Sequence, residues 1–226
     1  MSNEEKECVS DEELEKRVNE RISRISSELT HDLRSPLQTI RNAVYLIERD
    51  PDNPVFYQMI KDSLEQATAI LDGFRDYYQG NLIRPIKSDF SKVYEMGKSR
   101  VDIPDNISLV EEIGECDEIE IDPGKLSKVF TILLKNAVQS QPDGGVITVK
   151  IEDDNDVIRV SISDKGQGIS PQVQEVLFTP FESQKKKGKG LGLPAAKRII
   201  ESHGGSIGYE TKEGEGTTFT FLLPKD

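Results

Sequence analysis

The sequence predicts an α+β protein in two parts. The first is an N-terminal helical hairpin that pairs with a second copy as a dimeric four-helix bundle. The second is a sandwich of a mixed sheet covered by helices on one face. Three observations carry this reading. Apolar residues recur at three- and four-residue steps from Leu14 to Ile47 and again from Phe56 to Tyr78, the period of amphipathic helices. Beyond Pro85, short strand-like runs and helical stretches follow one another without regular βαβ alternation. Two glycine clusters, Asp164-Lys165-Gly166-Gln167-Gly168 and Lys189-Gly190-Leu191-Gly192-Leu193, each lie between a strand-like and a helix-like run. Glycine is needed there if the backbone must take φ > 0 or pass close to a bound group.

The first stripe is Leu14, Val18, Ile22, Ile25, Leu29, Leu33, Leu37, Ile40, Val44 and Ile47. Asp50-Pro51-Asp52-Asn53-Pro54 breaks it with turn residues and two prolines. The second runs Phe56, Ile60, Leu64, Ala67, Leu71, Phe74, Tyr78, and Gly80-Asn81 ends it. A hairpin alone cannot bury such stripes on both sides, so two hairpins are expected to pair as a homodimer. This gives an extension over 1–13, a hairpin over 14–80 and a second domain over 85–226.

In that second domain a helix is expected around Val93–Met96, with short strands at 107–113 and 119–121. A helix over 122–140 is capped by Asp122 and carries Pro123 in its first turn. Strands at 146–151 and 157–162 are joined by the acidic turn 153–156. Short helices at 173–177 and 194–202 follow, the latter stopping at Gly204-Gly205, and strands at 207–210 and 217–223 close the chain.

At 226 residues the chain can form one large or two small domains, each with a core. Its net charge of −12 argues against nucleic acid or anionic lipid as a main partner, the triplet Lys185-Lys186-Lys187 being a local exception. No apolar stretch approaches the roughly 18 residues of a membrane span, and Met1–Lys6 is unlike a signal peptide. The chain is therefore expected to be cytoplasmic without direct membrane contact, which leaves room for a membrane-bound parent. Cys8 and Cys116 fit no metal spacing, and with only His31 and His203 a histidine-rich metal site is not available.

The chemistry-bearing residues follow a definite order. Asn136 sits on the helix and offers a neutral amide oxygen of the kind Mg²⁺ takes beside phosphate oxygens and water. Asp164 ends a strand and can accept a hydrogen bond from the exocyclic amine of adenine. Gly188, Gly190 and Gly192 precede a helix whose free N–H groups and positive end favour phosphate. Singly, Asn136 reads more readily as an exposed helix position, and Asp164 equally as an aspartate in a glycine turn. In this order the three describe a nucleotide pocket. His31 lies two residues from both Leu29 and Leu33, so at about 100° per residue it points away from their stripe and toward solvent. Pro36 removes the bond to the Asp32 carbonyl and is expected to bend the helix. His203 is expected as a helix C-terminal residue favoured by the macrodipole.

The order His31-Asp32-x-Arg34-Ser35-Pro36, Asn136-Ala137, Asp164-x-Gly166-x-Gly168, Phe178-x-x-Phe181 and Gly188-x-Gly190-x-Gly192 resembles the sensor histidine kinases of two-component signalling. The stretch 136–145 looks closest to their nitrogen-regulation-type branch. The resemblance runs from about residue 20 to the C-terminus. It implies a dimerisation and phosphotransfer hairpin, then a Bergerat-type ATP-binding domain. His31 is then the phosphoacceptor, Asp32 its hydrogen-bond acceptor and general base, and Ser35 a candidate for dephosphorylation chemistry. Nucleotide contacts are implied at Asn136, Gln139, Asp164, Gly166, Gly168, Ile169, Phe178, Phe181, Lys187, Gly188, Lys189, Gly190, Leu191, Gly192 and Thr218, with Mg²⁺ at Asn136.

Ile132 stands where relatives carry a second Asn or a hydrolytic Glu, which argues against efficient ATP hydrolysis. Gln139 stands where many carry a basic residue, a charge that Lys185–Lys189 could supply. The expected activity is transfer of the ATP γ-phosphoryl group to His31, then to an aspartate on a response regulator receiver domain. Two other classes fit less well: a dimeric phosphotransfer scaffold with a decayed pocket, supported only by Ile132, and an ATP-driven clamp, which requires the missing Glu.

Overall fold

The computed structural model describes residues 11–79, 82–154, 156–180 and 190–225. The extension before residue 11, the helix stop at Gly80-Asn81, and Phe181, Lys187, Gly188 and Lys189 lie outside the described residues. The chain divides into two compact units, Met1–Asp72 and Gly73–Asp226.

The first unit holds helix α1 (Asp11–Ile47) and most of α2 (Pro54–Gln79). The turn between them is built by its polar residues. Asn53 Oδ1 accepts from the Val55 N–H at 3.1 Å, its Nδ2 donates to Asp50 Oδ2, and the Tyr57 hydroxyl donates to the Pro51 carbonyl. This is the capping role such residues favour. Helix α1 is unbroken through the buried Pro36. The apolar residues of α1 and α2 separate into two sets. Ala43 and Ile70 are buried, while Leu37, Val44, Leu64 and Leu71 stay about half exposed. Leu37 and Val44 are seven residues apart, as are Leu64 and Leu71, so each pair forms a row along one helix face.

The second unit is an α/β sandwich. Its elements are β1 (Ile86–Ser88), α3 (Phe90–Lys98), β2 (Ile107–Ile113), β3 (Ile119–Ile121), α4 (Pro123–Gln139), β4 (Gly145–Asp154), β5 (Val157–Asp164), α5 (Pro171–Gln174), α6 (Gly192–Ser202), β6 (Ser206–Lys212) and β7 (Gly216–Pro224). A five-stranded sheet runs in the order β2-β4-β5-β7-β6, and β1 pairs with β3 separately. The β2–β4 pair is parallel and every other pair antiparallel, so the expected mixed sheet is present.

One face of the sheet meets the helices. Ile147, Val149 and Ile151 of β4, Ile158, Val160 and Ile162 of β5 and Phe219, Phe221 and Leu223 of β7 share a core with Leu126, Phe130 and Leu133 of α4 and Ile199 and Ile200 of α6. Phe130 is its centre, meeting Phe90, Tyr94 and Phe221 edge-on at 5.3–5.8 Å between ring centroids. The other face is polar, with hydroxyl pairs Ser161–Thr220 and Ser163–Thr218 across β5 and β7.

Two elements differ from the sequence reading. Strand β1 is not signalled by its three residues and exists by pairing with β3. The helix expected at 173–177 is α5, which begins at Pro171 behind Ser170; Val176, Leu177 and Thr179 then bond three residues back as turns. The cap on α4 is as expected: Asp122 Oδ1 accepts from the Lys125 N–H at 2.9 Å, while Oδ2 accepts from the Arg84 N–H.

Candidate functional site

Asp164 ends β5 on the helix-facing side, opposite Ile147 of β4 and Thr217 of β7, and is buried. One carboxylate oxygen is fully engaged: Oδ1 accepts from the Ser140 hydroxyl at 2.8 Å and from the Gly166 N–H at 2.9 Å. The other, Oδ2, takes no hydrogen bond from the described residues. Ser140 is the C-cap of α4, so the helix that carries Asn136 ends against the carboxylate.

The glycine loop after Asp164 is held from two sides. The Ser140 carbonyl accepts from the Gln167 N–H, and Gln141 Oε1 accepts from the Lys165 and Val146 N–H groups. A Cβ on Gly166 would lie 2.3 Å from Ser140 Oγ, so only glycine fits there. Gly168 has φ +66° and its Cβ would lie 2.2 Å from the Lys212 carbonyl oxygen, which again excludes a side chain. Ile169 then leaves the loop with its N–H donating to Thr211 Oγ1 at 3.0 Å, and its carbonyl accepts from Gln174.

Two adjacent threonines of β7 point to opposite faces. Thr218 pairs with Ser163 on the polar face, away from Asp164. Thr218 is expected to contact nucleotide; its neighbour Thr217 is buried on the Asp164 side. The Thr211 hydroxyl lies 2.9 Å from the Thr217 hydroxyl and 3.1 Å from the Gly216 carbonyl, and either hydroxyl can donate to the other.

Asn136 is half-buried one turn before Ser140 on α4, and Gln139 is exposed at the end of that helix. Among the described residues no group of three His, Cys, Asp or Glu could hold a metal ion. Asn136 thus fits an ion that draws most of its ligands from phosphate and water. Ile132 of α4 lies against the start of α6, its Cγ2 3.3 Å from where a Gly192 Cβ would be. Leu191, at the N-cap position of α6, is buried and makes no side-chain cap bond, so the first-turn N–H groups of that helix lack this partner. Gly190 precedes it with φ +67°. Phe178 is half-buried, packed against Tyr209, with Lys197 Nζ 5.2 Å from its ring centre.

In the first unit, the His31 side chain is 84% exposed, as its place on the helix requires, and its Nδ1 lies 3.4 Å from Asp32 Oδ1. Ser35, one turn on, is also exposed. His203 is the C-cap of α6, at the helix end where it is expected. Its ring bridges two elements of the second unit: Nδ1–H donates to the Ile199 carbonyl at 2.7 Å, and Nε2 accepts from the Asp122 N–H at 3.0 Å. That arrangement requires a neutral ring, and burial pushes its pKa down.

Residues 121–226 match the family described as histidine kinase-, DNA gyrase B-, and HSP90-like ATPase. The chain is 27% identical over 234 residues to sporulation kinase E of Bacillus subtilis (strain 168), covering 97% of this chain and 31% of that protein. It is 31% identical over 216 residues to the sensor histidine kinase ZraS of Klebsiella oxytoca, covering 90% of this chain and 46% of that protein. The chain thus spans less than half the length of each of these two relatives. Histidine kinase ThkA, solved in complex with response regulator protein TrrA, shares the fold with a TM-score of 0.74 at 24% identity, over 99% of this chain and 68% of that one. The family match and the relatives support a sensor histidine kinase catalytic core. Its second unit is a mixed α/β sandwich ATP-binding domain like those of histidine kinase catalytic domains. Among the described residues, no helix is long and apolar enough to cross a membrane.

Proposed function

We propose that this chain is a cytoplasmic, ATP-dependent protein histidine kinase core of the nitrogen-regulation-type branch. It autophosphorylates His31 and passes the phosphoryl group to an aspartate of a response regulator receiver domain. The observation that carries this reading is the buried Asp164 carboxylate, one oxygen occupied and the other open, set beside a glycine loop. Nucleotide binding belongs to 85–226. Phosphotransfer belongs to the hairpin 14–80, with 1–13 as an extension. The half-exposed rows Leu37/Val44 and Leu64/Leu71 support burial against a second copy as a homodimer. The net charge of −12 supports a protein partner, without nucleic acid or direct membrane contact.

Asp164 Oδ2 accepts a hydrogen from the exocyclic amine of adenine, and the backbone of the Gly166–Ile169 loop borders the base. The N-terminus of α6, from Gly190 to Gly192, receives phosphate oxygens through backbone N–H groups. The Phe178-x-x-Phe181 segment, Gln139 and the Lys187-Gly188-Lys189 stretch complete the nucleotide contacts. Asn136 would hold Mg²⁺, which when bound supplies charge neutralisation on the transferring phosphate. Asp32 accepts the Nδ1–H of His31, leaving Nε2 with a lone pair. Nε2 forms the N–P bond as the bond from the γ-phosphorus to its bridging oxygen breaks, and ADP leaves. The receiver aspartate then displaces His31 from phosphorus. Ser35, on the same face as His31, is placed to orient water for dephosphorylation of the regulator.

Incubation with γ-labelled ATP and Mg²⁺ tests the reading. An acid-labile, base-stable label on the chain is expected, absent in His31→Gln while ATP binding remains. Labelling that survives His31→Gln overturns it. The reading of relatives and fold that supports a kinase disfavours a scaffold with a decayed pocket, and such a scaffold would give no label at all.

A further inference from the structure

The Asp164 carboxylate is held by a hydroxyl to which the sequence reading assigns no role. Ser140 Oγ lies 2.8 Å from Asp164 Oδ1 and 2.8 Å from the Ala137 carbonyl, with one hydrogen to give. Gln141 decides which acceptor receives it. The Gln141 Nε2 donates to the same Ala137 carbonyl at 3.2 Å, so that oxygen is satisfied without the serine. An ionised carboxylate is also the stronger acceptor. The Ser140 hydrogen therefore goes to Oδ1, where it joins the Gly166 N–H. Two donors on one oxygen fix the plane of the carboxylate. The fit is tight, since the Gly166 backbone lies directly on Ser140 and Gln141 is itself buried.

We propose that Ser140 is a positioning residue that sets purine selectivity. By anchoring Oδ1 it makes Oδ2 a fixed point that can only accept, admitting a purine with an exocyclic amine at position 6 and rejecting one with a carbonyl there. A carboxylate free to turn about χ2 could swing away from a facing carbonyl oxygen and relieve the repulsion. One held by Ser140 and Gly166 cannot. The proposal rests on Asp164 being the base-recognising group.

The test is calorimetric titration of the full chain with ATP and with inosine triphosphate, which carries a carbonyl in place of the amine. The parent is expected to prefer ATP. Ser140→Ala should narrow the ATP-to-inosine-triphosphate affinity ratio by about threefold to tenfold, the worth of one hydrogen bond. Ser140→Cys keeps the side-chain shape with only a weak donor and should narrow it similarly. It also serves if the alanine variant folds poorly. A purely structural role for Ser140 would weaken both nucleotides equally and leave the ratio unchanged, and that result overturns the proposal. A parent without preference for ATP would overturn the assignment of Asp164 as well. A parent that discriminates, with variants that discriminate equally, would remove Ser140 alone.

Discussion

Asp164→Asn isolates the charge and the acceptor pattern of the base-recognising group while keeping its shape. The surroundings dictate how the amide would sit. Ser140 and the Gly166 N–H both donate to Oδ1, at 2.8 and 2.9 Å. The amide oxygen must stay there, because turning the amide would set its NH₂ against the Gly166 N–H. Nδ2 is thereby forced to the Oδ2 position, where it faces the adenine amine donor to donor. Losing a charge-assisted bond and leaving a buried donor unmatched costs about 1–3 kcal/mol, or roughly tenfold to a hundredfold in affinity. Folding should change little, since volume and the Oδ1 bonds are retained. Isothermal titration with ATP and Mg²⁺ measures the loss. Purine riboside triphosphate, which lacks the amine, serves as control and should bind parent and variant within a few fold of each other. An Asp164→Asn chain that binds ATP as tightly as the parent would refute the pocket assignment.

Three further outcomes are expected. Burial lowers the His203 pKa below its ordinary value near 6.5, against the raising effects of the Ile199 hydrogen bond and the Asp122 charge. Stability from the neutral ring is therefore present above about pH 6.5 and lost as pH falls through the lower folded value. Urea unfolding should show this loss in the parent and a smaller one in His203→Gln; equal slopes against pH would contradict it. Leu64, about half exposed in a single chain, should be covered in the dimer, so Leu64→Asp would bury an unpaired carboxylate at a cost of several kcal/mol. Light scattering is expected to report a dimeric parent and a dissociated variant at micromolar concentration, and a monomeric parent would end the dimer proposal. Ser35→Ala should slow dephosphorylation of the phosphorylated regulator about tenfold more than it slows autophosphorylation, a difference of about 1.4 kcal/mol in barrier; equal effects would leave Ser35 a small residue before Pro36.

What the sequence alone determined is what depends on neighbours along the chain. The 3.6-residue period placed α1, α2 and α4, because an amphipathic stripe is a local repeat. The Asp122-Pro123 start of α4 was legible because a side-chain cap reaches only three residues ahead. The exposure of His31 followed from its angle to Leu29 and Leu33. Asp164 and the glycines around it could be singled out because only glycine tolerates φ +66° at 168.

Tertiary structure decided whatever rests on register or distant pairing. Strand β1 has no alternating pattern and is a strand only because Ile86–Ser88 meets Ile119–Ile121. That Thr217 rather than Thr218 shares the face of Asp164 turned on the pairing of Asp164 with Thr217, since a one-residue shift in a strand moves a side chain to the other face. His203, at the end of α6 as expected, becomes a neutral bridge because folding carries the Asp122 N–H, 81 positions away in sequence, to its ring. Ser140 acquires its part in the site only when the end of α4 meets the end of β5, bringing a hydroxyl to a carboxylate 24 positions further on. A local pattern can say which residue types stand ready for chemistry. Which atoms finally face one another is settled by sheet register and helix packing, because those contacts join segments that no short window of sequence contains.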